Sequence, residues 1–213
     1  MRRLLCRTLA AIGLLASISG AQAGSLSYSG YSVFNSQTVE LRDAKLGVHE
    51  FAGAGEIILS TNDVPGGALA TWCIDIPDAL KSSGKFTTGS VLTGTFGTIV
   101  NALLSNVIPK LDTNYNVSSA LQVAIWQAEY GSDLVVTGPS AVTALAGQYL
   151  QNVANGTVRA DPTRQVSVLA ANGGTQDQAY LTAVPEPASI ALLGAGLLGF
   201  GLVRKGRRIS RTS

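Results

Sequence analysis

The chain has 213 residues, with 15 Lys/Arg against 13 Asp/Glu and a formal net charge of +2. Eight of the basic residues sit at the two ends, however, and between Gly24 and Val184 seven Lys/Arg stand against twelve Asp/Glu, leaving −5. That mildly acidic body excludes a basic patch for nucleic acid, and its length of about 160 residues suffices for one domain with a real core or a domain with an inserted lobe.

Residues 1–23 read as a secretory signal. Arg2, Arg3 and Arg7 form a basic n-region, Leu9 to Ile18 an apolar h-region, and Ala21-Gln22-Ala23 a small-residue cleavage site. Cys6 precedes the apolar run and leaves with the signal, so Cys73 is expected to be the only cysteine of the mature protein.

In the body, β-branched and aromatic residues alternating with polar ones predict strands. They fall at YSVF and TVELR, at EIILS (Glu56 to Ser60) and at ATWCIDI (Ala70 to Ile76), with Gly, Asn, Asp and Pro between them as turn signals. Alternation in TWCIDI puts Trp72, Ile74 and Ile76 on one face and Cys73 and Asp75 on the other. A helical middle follows. TIVNALLSNVI carries Ile99, Leu103 and Val107 along one stripe and stops at Pro109. SSALQVAIWQAEYG carries Leu121, Ala124, Ile125 and Ala128, with Ser118 or Ser119 as N-cap and Gly131 as C-terminal stop. A third helix is expected near Pro139, with Val142, Leu145, Ala146, Tyr149 and Val153 apolar and Gly156 past its end. RQVSVLAA and AYLTAV then close the body as strands. The order of strands, helices and strands predicts an α+β fold: β-rich halves, sandwich or barrel-like, with an inserted helical lobe.

The last segment reads as an address. Pro185, Glu186 and Pro187 are followed by an uncharged apolar run, Ala188 to Val203, and then by Arg204, Lys205, Arg207, Arg208 and Arg211. At 1.5 Å rise per residue the run is roughly 24 Å long against a hydrocarbon core of roughly 30 Å, so a transmembrane helix over 188–203 spans only with thinning or outward-reaching flanks. The basic flank predicts a cytoplasmic C-terminus, with the body on the other side of the membrane. VPEPAS, a Gly/Leu-rich helix and VRKGRR, in that order, resemble the PEP-CTERM sorting signal of Gram-negative bacteria. The resemblance implies processing by exosortase, an integral-membrane enzyme, with Pro185, Glu186 and Pro187 as recognition residues and 188–203 as a temporary inner-membrane anchor. It also implies a final place at the cell surface or in the extracellular matrix, among proteins associated with exopolysaccharide and biofilm. The chain thus divides into a signal peptide (1–23), a body (24–184) and a sorting signal (185–213).

Two motifs in the body bear on chemistry. A catalytic thiol needs a base, and the one histidine, His49, lies on a charged segment with no cysteine-protease signature nearby. One Cys and one His cannot build a zinc cage, and neither HExxH nor paired-cysteine spacing occurs, so no metal or other cofactor is expected. WCIDI followed at a distance by LQVAIW resembles the thioester domains of bacterial surface proteins, in which a strand cysteine and a helix glutamine join as an internal thioester. The resemblance assigns these roles to Cys73 and to Gln122, the glutamine four before Trp126. Gln127 stands in the wrong place for that pattern. A thiolate that attacks a carboxamide and expels ammonia leaves an acyl–sulfur bond more electrophilic than the amide. It must therefore be held in near-attack geometry and kept from water. Trp72 beside the cysteine and Trp126 one turn beyond Gln122 are expected to supply that shield. Both motif residues also have an ordinary reading: a strand cysteine is often a small buried hydrophobe, and Ser119-x-x-Gln122 is a capping-box pattern.

These readings predict an exported surface or matrix protein that captures a nucleophile, either a lysine amine or a polysaccharide hydroxyl. It acts once per molecule and is therefore not a turnover enzyme. The competing expectation is a structural protein that binds exopolysaccharide noncovalently and forms no thioester. An enzymatic alternative would use Cys73 as nucleophile and His49 as base.

Overall fold

The computed structural model describes residues 24–108, 114–172 and 174–184. The expected signal peptide, the Pro185–Pro187 triplet, the helix over 188–203 and the Pro109 helix stop lie outside the described residues.

YSVF and TVELR, expected as separate strands, form one. Strand β2 (Gly30–Asp43) contains both and pairs with β3 (Val48–Ser60), the register shifting only between Phe34 and Gln37. At this bulge Asn35 adopts φ 47°, a left-handed conformation that asparagine tolerates better than most residues. Gly55 across the bulge has no room for a side chain: a Cβ there would lie 2.8 Å from the Phe34 carbonyl oxygen and 2.8 Å from the Ser36 Cβ.

The other strands are β1 (Gly24–Tyr28), β4 (Ala68–Cys73), β5 (Gly84–Val91), β6 (Val135–Thr137), β7 (Arg164–Ala171) and β8 (Gln178–Ala183). All join one eight-stranded antiparallel sheet in the order β1-β5-β7-β8-β4-β3-β2-β6. β4 is the joint. Ala68 to Thr71 pair with β3, whereas Trp72 and Cys73 pair with Ala179 and Gln178 of β8. The expected β-rich halves are therefore two parts of one hydrogen-bonded sheet, with β1 and β6 at its opposite ends.

β1, β5 and β6 do not stand out by local pattern: GSLSY and GKFTTGSV are rich in Gly, Ser and Thr, and β6, although VVT is β-branched, is only three residues long. Their extended state comes from pairing, and β1 and β5 are further joined by stacking of Tyr28 on Phe86, with centroids 5.0 Å apart. β4 ends at Cys73, short of the expected Ile76. Ile74 N–H still donates to Asp177 C=O, and the chain then leaves the sheet.

Among the described residues there are three α-helices: α1 (Gly94–Val107), α2 (Tyr115–Tyr130) and α3 (Ser140–Ala154). α2 is central, packed against β2, β3 and β4 as well as α1 and α3, so every residue from Ser118 to Trp126 is buried. Its N-cap is Asn114, whose side chain accepts from the Asn116 N–H, and not Ser118 or Ser119 as the serine pattern suggests. The helix ends as expected at Gly131, with φ 62°, and Gly156 (φ 74°) follows the end of α3. No helix among the described residues is long and apolar enough to cross a membrane.

Candidate functional site

Beside α2, main-chain groups of three neighbouring strands bond to helix side chains where the strand ladder is interrupted. At the β2–β3 bulge, the Ser119 hydroxyl accepts from Gln37 N–H at 2.8 Å and the Ser118 hydroxyl accepts from Glu56 N–H at 2.9 Å. β4 pairs with β3 only as far as Thr71, opposite Ile57, and the next rung in that register would use the N–H and C=O of Cys73. Gln122 takes both. Its Oε1 accepts from Cys73 N–H at 3.1 Å, and its Nε2 donates to Cys73 C=O at 2.8 Å. Positions 118, 119 and 122 share one face of the helix, which thereby substitutes for a strand edge.

Gln122 is thus engaged with Cys73 and not with a capping box. The Cys73 thiol donates to the Asp75 C=O at 2.9 Å. Tyr130, two turns beyond Gln122, braces the same segment: its hydroxyl accepts from Ile76 N–H at 3.3 Å and donates to Ile74 C=O at 3.5 Å.

Cys73, Gln122 and Trp126 line a cavity of about 270 Å³ whose other walls include Tyr31, Glu50, Phe51, Asp78 and Leu80. All three are buried, whereas Phe51 is 74% exposed, so the cavity runs from a rim at Phe51 to a floor at the Cys–Gln pair. Trp72 is buried in the core and is not among the residues lining this cavity. The indole N–H groups of Trp72 and Trp126 are both buried without a hydrogen-bond partner.

Burial pushes the Cys73 thiol up to about 12; negative Asp75 and Asp177 act in the same direction, while the Trp126 indole and the Asp75 backbone oppose them. Trp126 thus acts on the sulfur in favour of the thiolate, although its N–H makes no hydrogen bond by geometry. Burial also raises the Asp75 carboxyl, helped by Asp78 and Asp177, and pushes Tyr130 up to about 12. At neutral pH the sulfur is a protonated, weak nucleophile.

His49 is elsewhere. Its exposed ring lies 2.9 Å from Glu40 Oε1, on β2, and it does not line the cavity. Among the described residues no group of three or more His, Cys, Asp or Glu is placed to hold a metal ion. A second cavity of about 250 Å³ lies by the start of α1, with Asn101, Asp161 and Arg164 in its wall. Its polar groups bond to one another: Asn101 Nδ2 donates to the main-chain carbonyls of Asp161 and Arg164, and Asp161 accepts from Thr163.

Ser118, Ser119 and Tyr130 escaped sequence reasoning as parts of this site. A signal existed, since Ser118, Ser119 and Gln122 are three polar residues clustered on an otherwise apolar helix, and Tyr130 extends the Gln122–Trp126 line by one more turn.

Comparison with known families bears on the end of the chain. Residues 183–208 match the PEP-CTERM protein-sorting motif. Such motifs are recognised by exosortase and mark an exported protein that is carried as a membrane-anchored precursor and processed to the cell surface. No curated protein and no solved structure matches the chain.

Proposed function

We propose that the body, residues 24–184, is a thioester domain that captures a nucleophile covalently through an internal Cys73–Gln122 bond. The observation that carries this reading is the direct engagement of the Gln122 carboxamide with Cys73, at the floor of a cavity with an exposed rim. In the forming step Sγ attacks Gln122 Cδ, the C–S bond forms as the C–N bond breaks, and the thiol proton leaves with Nε2 as ammonia. Cys73 N–H, already on Oε1, stabilises the negative charge that develops there. The raised pKa of the thiol makes this step slow, which suits a bond formed once during maturation. Trp126 shields the acyl–sulfur bond from water at the cavity floor, while Trp72 backs it from the core.

An amine, or a hydroxyl of exopolysaccharide, then attacks the same carbon and releases the Cys73 thiol. The product stays bound, so the protein is a reactive adhesive module of the surface or biofilm matrix and not an enzyme. His49, tied to Glu40, has no part in it.

A second reading has its own support. Both polar atoms of the Gln122 amide are satisfied as they stand and the thiol is held neutral, an arrangement suited to a noncovalent exopolysaccharide-associated protein with no thioester.

Intact mass of the protein, purified without reducing agent, separates the two. A deficit of one ammonia that is absent in Cys73→Ala, and conversion to a methylamide at Gln122 with methylamine, is the expected result. An unmodified mass with one thiol titratable after denaturation would leave the noncovalent reading.

A further inference from the structure

Trp126 lines the cavity floor and is only 3% exposed, yet its indole N–H has no hydrogen-bond partner. A buried donor without an acceptor is costly, and folded chains keep few of them. A phenylalanine would fill much of the same space without that cost. Cys73 lines the same cavity, and its sulfur is the polar atom there whose capacity to accept changes during the proposed reaction: a neutral thiol accepts weakly, a thiolate strongly.

We infer that the Trp126 N–H is a donor held in reserve for negative charge on the Cys73 sulfur. Sulfur carries that charge whenever the acyl–sulfur bond is made or broken. In capture, an amine attacks Gln122 Cδ and a C–N bond forms. The C–S bond breaks with its electron pair on Sγ, and the proton lost from nitrogen ends on sulfur to restore the thiol. The indole thus lowers the barrier to release without ionising the resting thiol.

The surroundings give this donor its weight. Facing the sulfur or the cavity are Asp75 and Asp78 from the chain beyond β4, Asp177 from the segment before β8, Glu50 from β3 and Tyr130 from α2. None of these is a base that carries positive charge, and among the described residues no Lys, Arg or His lines the cavity. Asp75 and Asp177 oppose a thiolate, and the Trp126 N–H is the leading influence in its favour.

The test replaces Trp126 in the purified protein by Phe and by benzothienylalanine, which keeps the shape of indole but has sulfur in place of N–H. Each form is first treated with methylamine, so that Cys73 is a free thiol whatever its starting state. Its alkylation by iodoacetamide is then followed over an alkaline pH series. Loss of a hydrogen bond to a charged group predicts alkylation roughly tenfold slower at each pH, with the profile displaced upward, in both replacements. Equal rates in the wild type and the benzothienyl form would overturn the inference and leave Trp126 an apolar shield. Should the Phe form not fold, the isostere carries the test alone.

A second arm, the rate of methylamine capture, rests on the proposed thioester and should slow in parallel. A wild type with no ammonia deficit defeats that reading, while the alkylation arm still decides the role of Trp126.

Discussion

Gln122 is the residue on which the site depends, because it satisfies two buried main-chain groups at once. Removing it as Gln122→Ala leaves Cys73 N–H and C=O without partners, and at about 1–3 kcal/mol for each buried group the expected loss is about 3 kcal/mol, measurable by urea denaturation. Cys73→Ser keeps a donor for the Asp75 C=O and is expected to cost less than about 1.5 kcal/mol while abolishing any ammonia deficit. The thiol also makes stability depend on alkaline pH. Its folded pKa is raised from 9.0 to about 12, so the folded state holds the proton more tightly than the unfolded chain does. The contribution is fully present below pH 9 and is lost as pH rises toward 12. Tyr130, raised from 10.0 to about 12, acts in the same direction, so between pH 9 and 10 the decline belongs to the thiol. In the free-thiol form, stability is expected to fall over that interval, and Cys73→Ser should flatten the fall. Identical slopes in the two proteins would refute the assignment.

At the scale of elements, α2 is both core helix and substitute strand edge. Ser118 and Ser119 are poor choices by helix propensity, where alanine would gain about 0.5 kcal/mol. Each nonetheless accepts from a strand N–H at the β2–β3 bulge, and leaving such a group unpaired costs about 1–3 kcal/mol. The hydrogen bond outweighs propensity. Ser118→Ala and Ser119→Ala are therefore each expected to destabilise by about 1 kcal/mol, read from chemical denaturation midpoints. Stabilisation by either change would mean that water replaces the hydroxyl. The same reasoning explains why β4 switches partners where it does. Once Gln122 occupies the β3 side of Cys73, the strand pairs with β8 on its other side.

For the whole molecule, function divides between the sorted end and the acidic body. The matched motif spans 183–208, and changing Pro185, Glu186 and Pro187 together to alanine is expected to leave an unprocessed, membrane-associated precursor, detected by immunoblot of fractionated cells. Normal processing of that variant would show that exosortase reads some other part of the tail. The body between Gly24 and Val184 carries −5, so its association with acidic polysaccharide is expected to be weakest at low ionic strength, the opposite of a basic lectin.

The sorting motif was legible in the sequence because it is a local order of residue types, and it needs no partner elsewhere in the chain to be recognised. The glycine stops at Gly131 and Gly156, the three helices and the strongly patterned strands were legible for the same reason: their determinants lie within a turn or a strand. Tertiary structure decided the rest. Cys73 and Gln122 are 49 residues apart, and their meeting depends on where β4 leaves β3 and on which face α2 turns to the sheet. The weakly patterned β1 and β5, the three-residue β6, the capping by Asn114 instead of a serine, and the bonds of Ser118 and Ser119 to the strands follow from the same cause. Register, pairing and the demand that buried N–H and C=O groups find partners act between segments distant in the chain, beyond the reach of local propensity and periodicity.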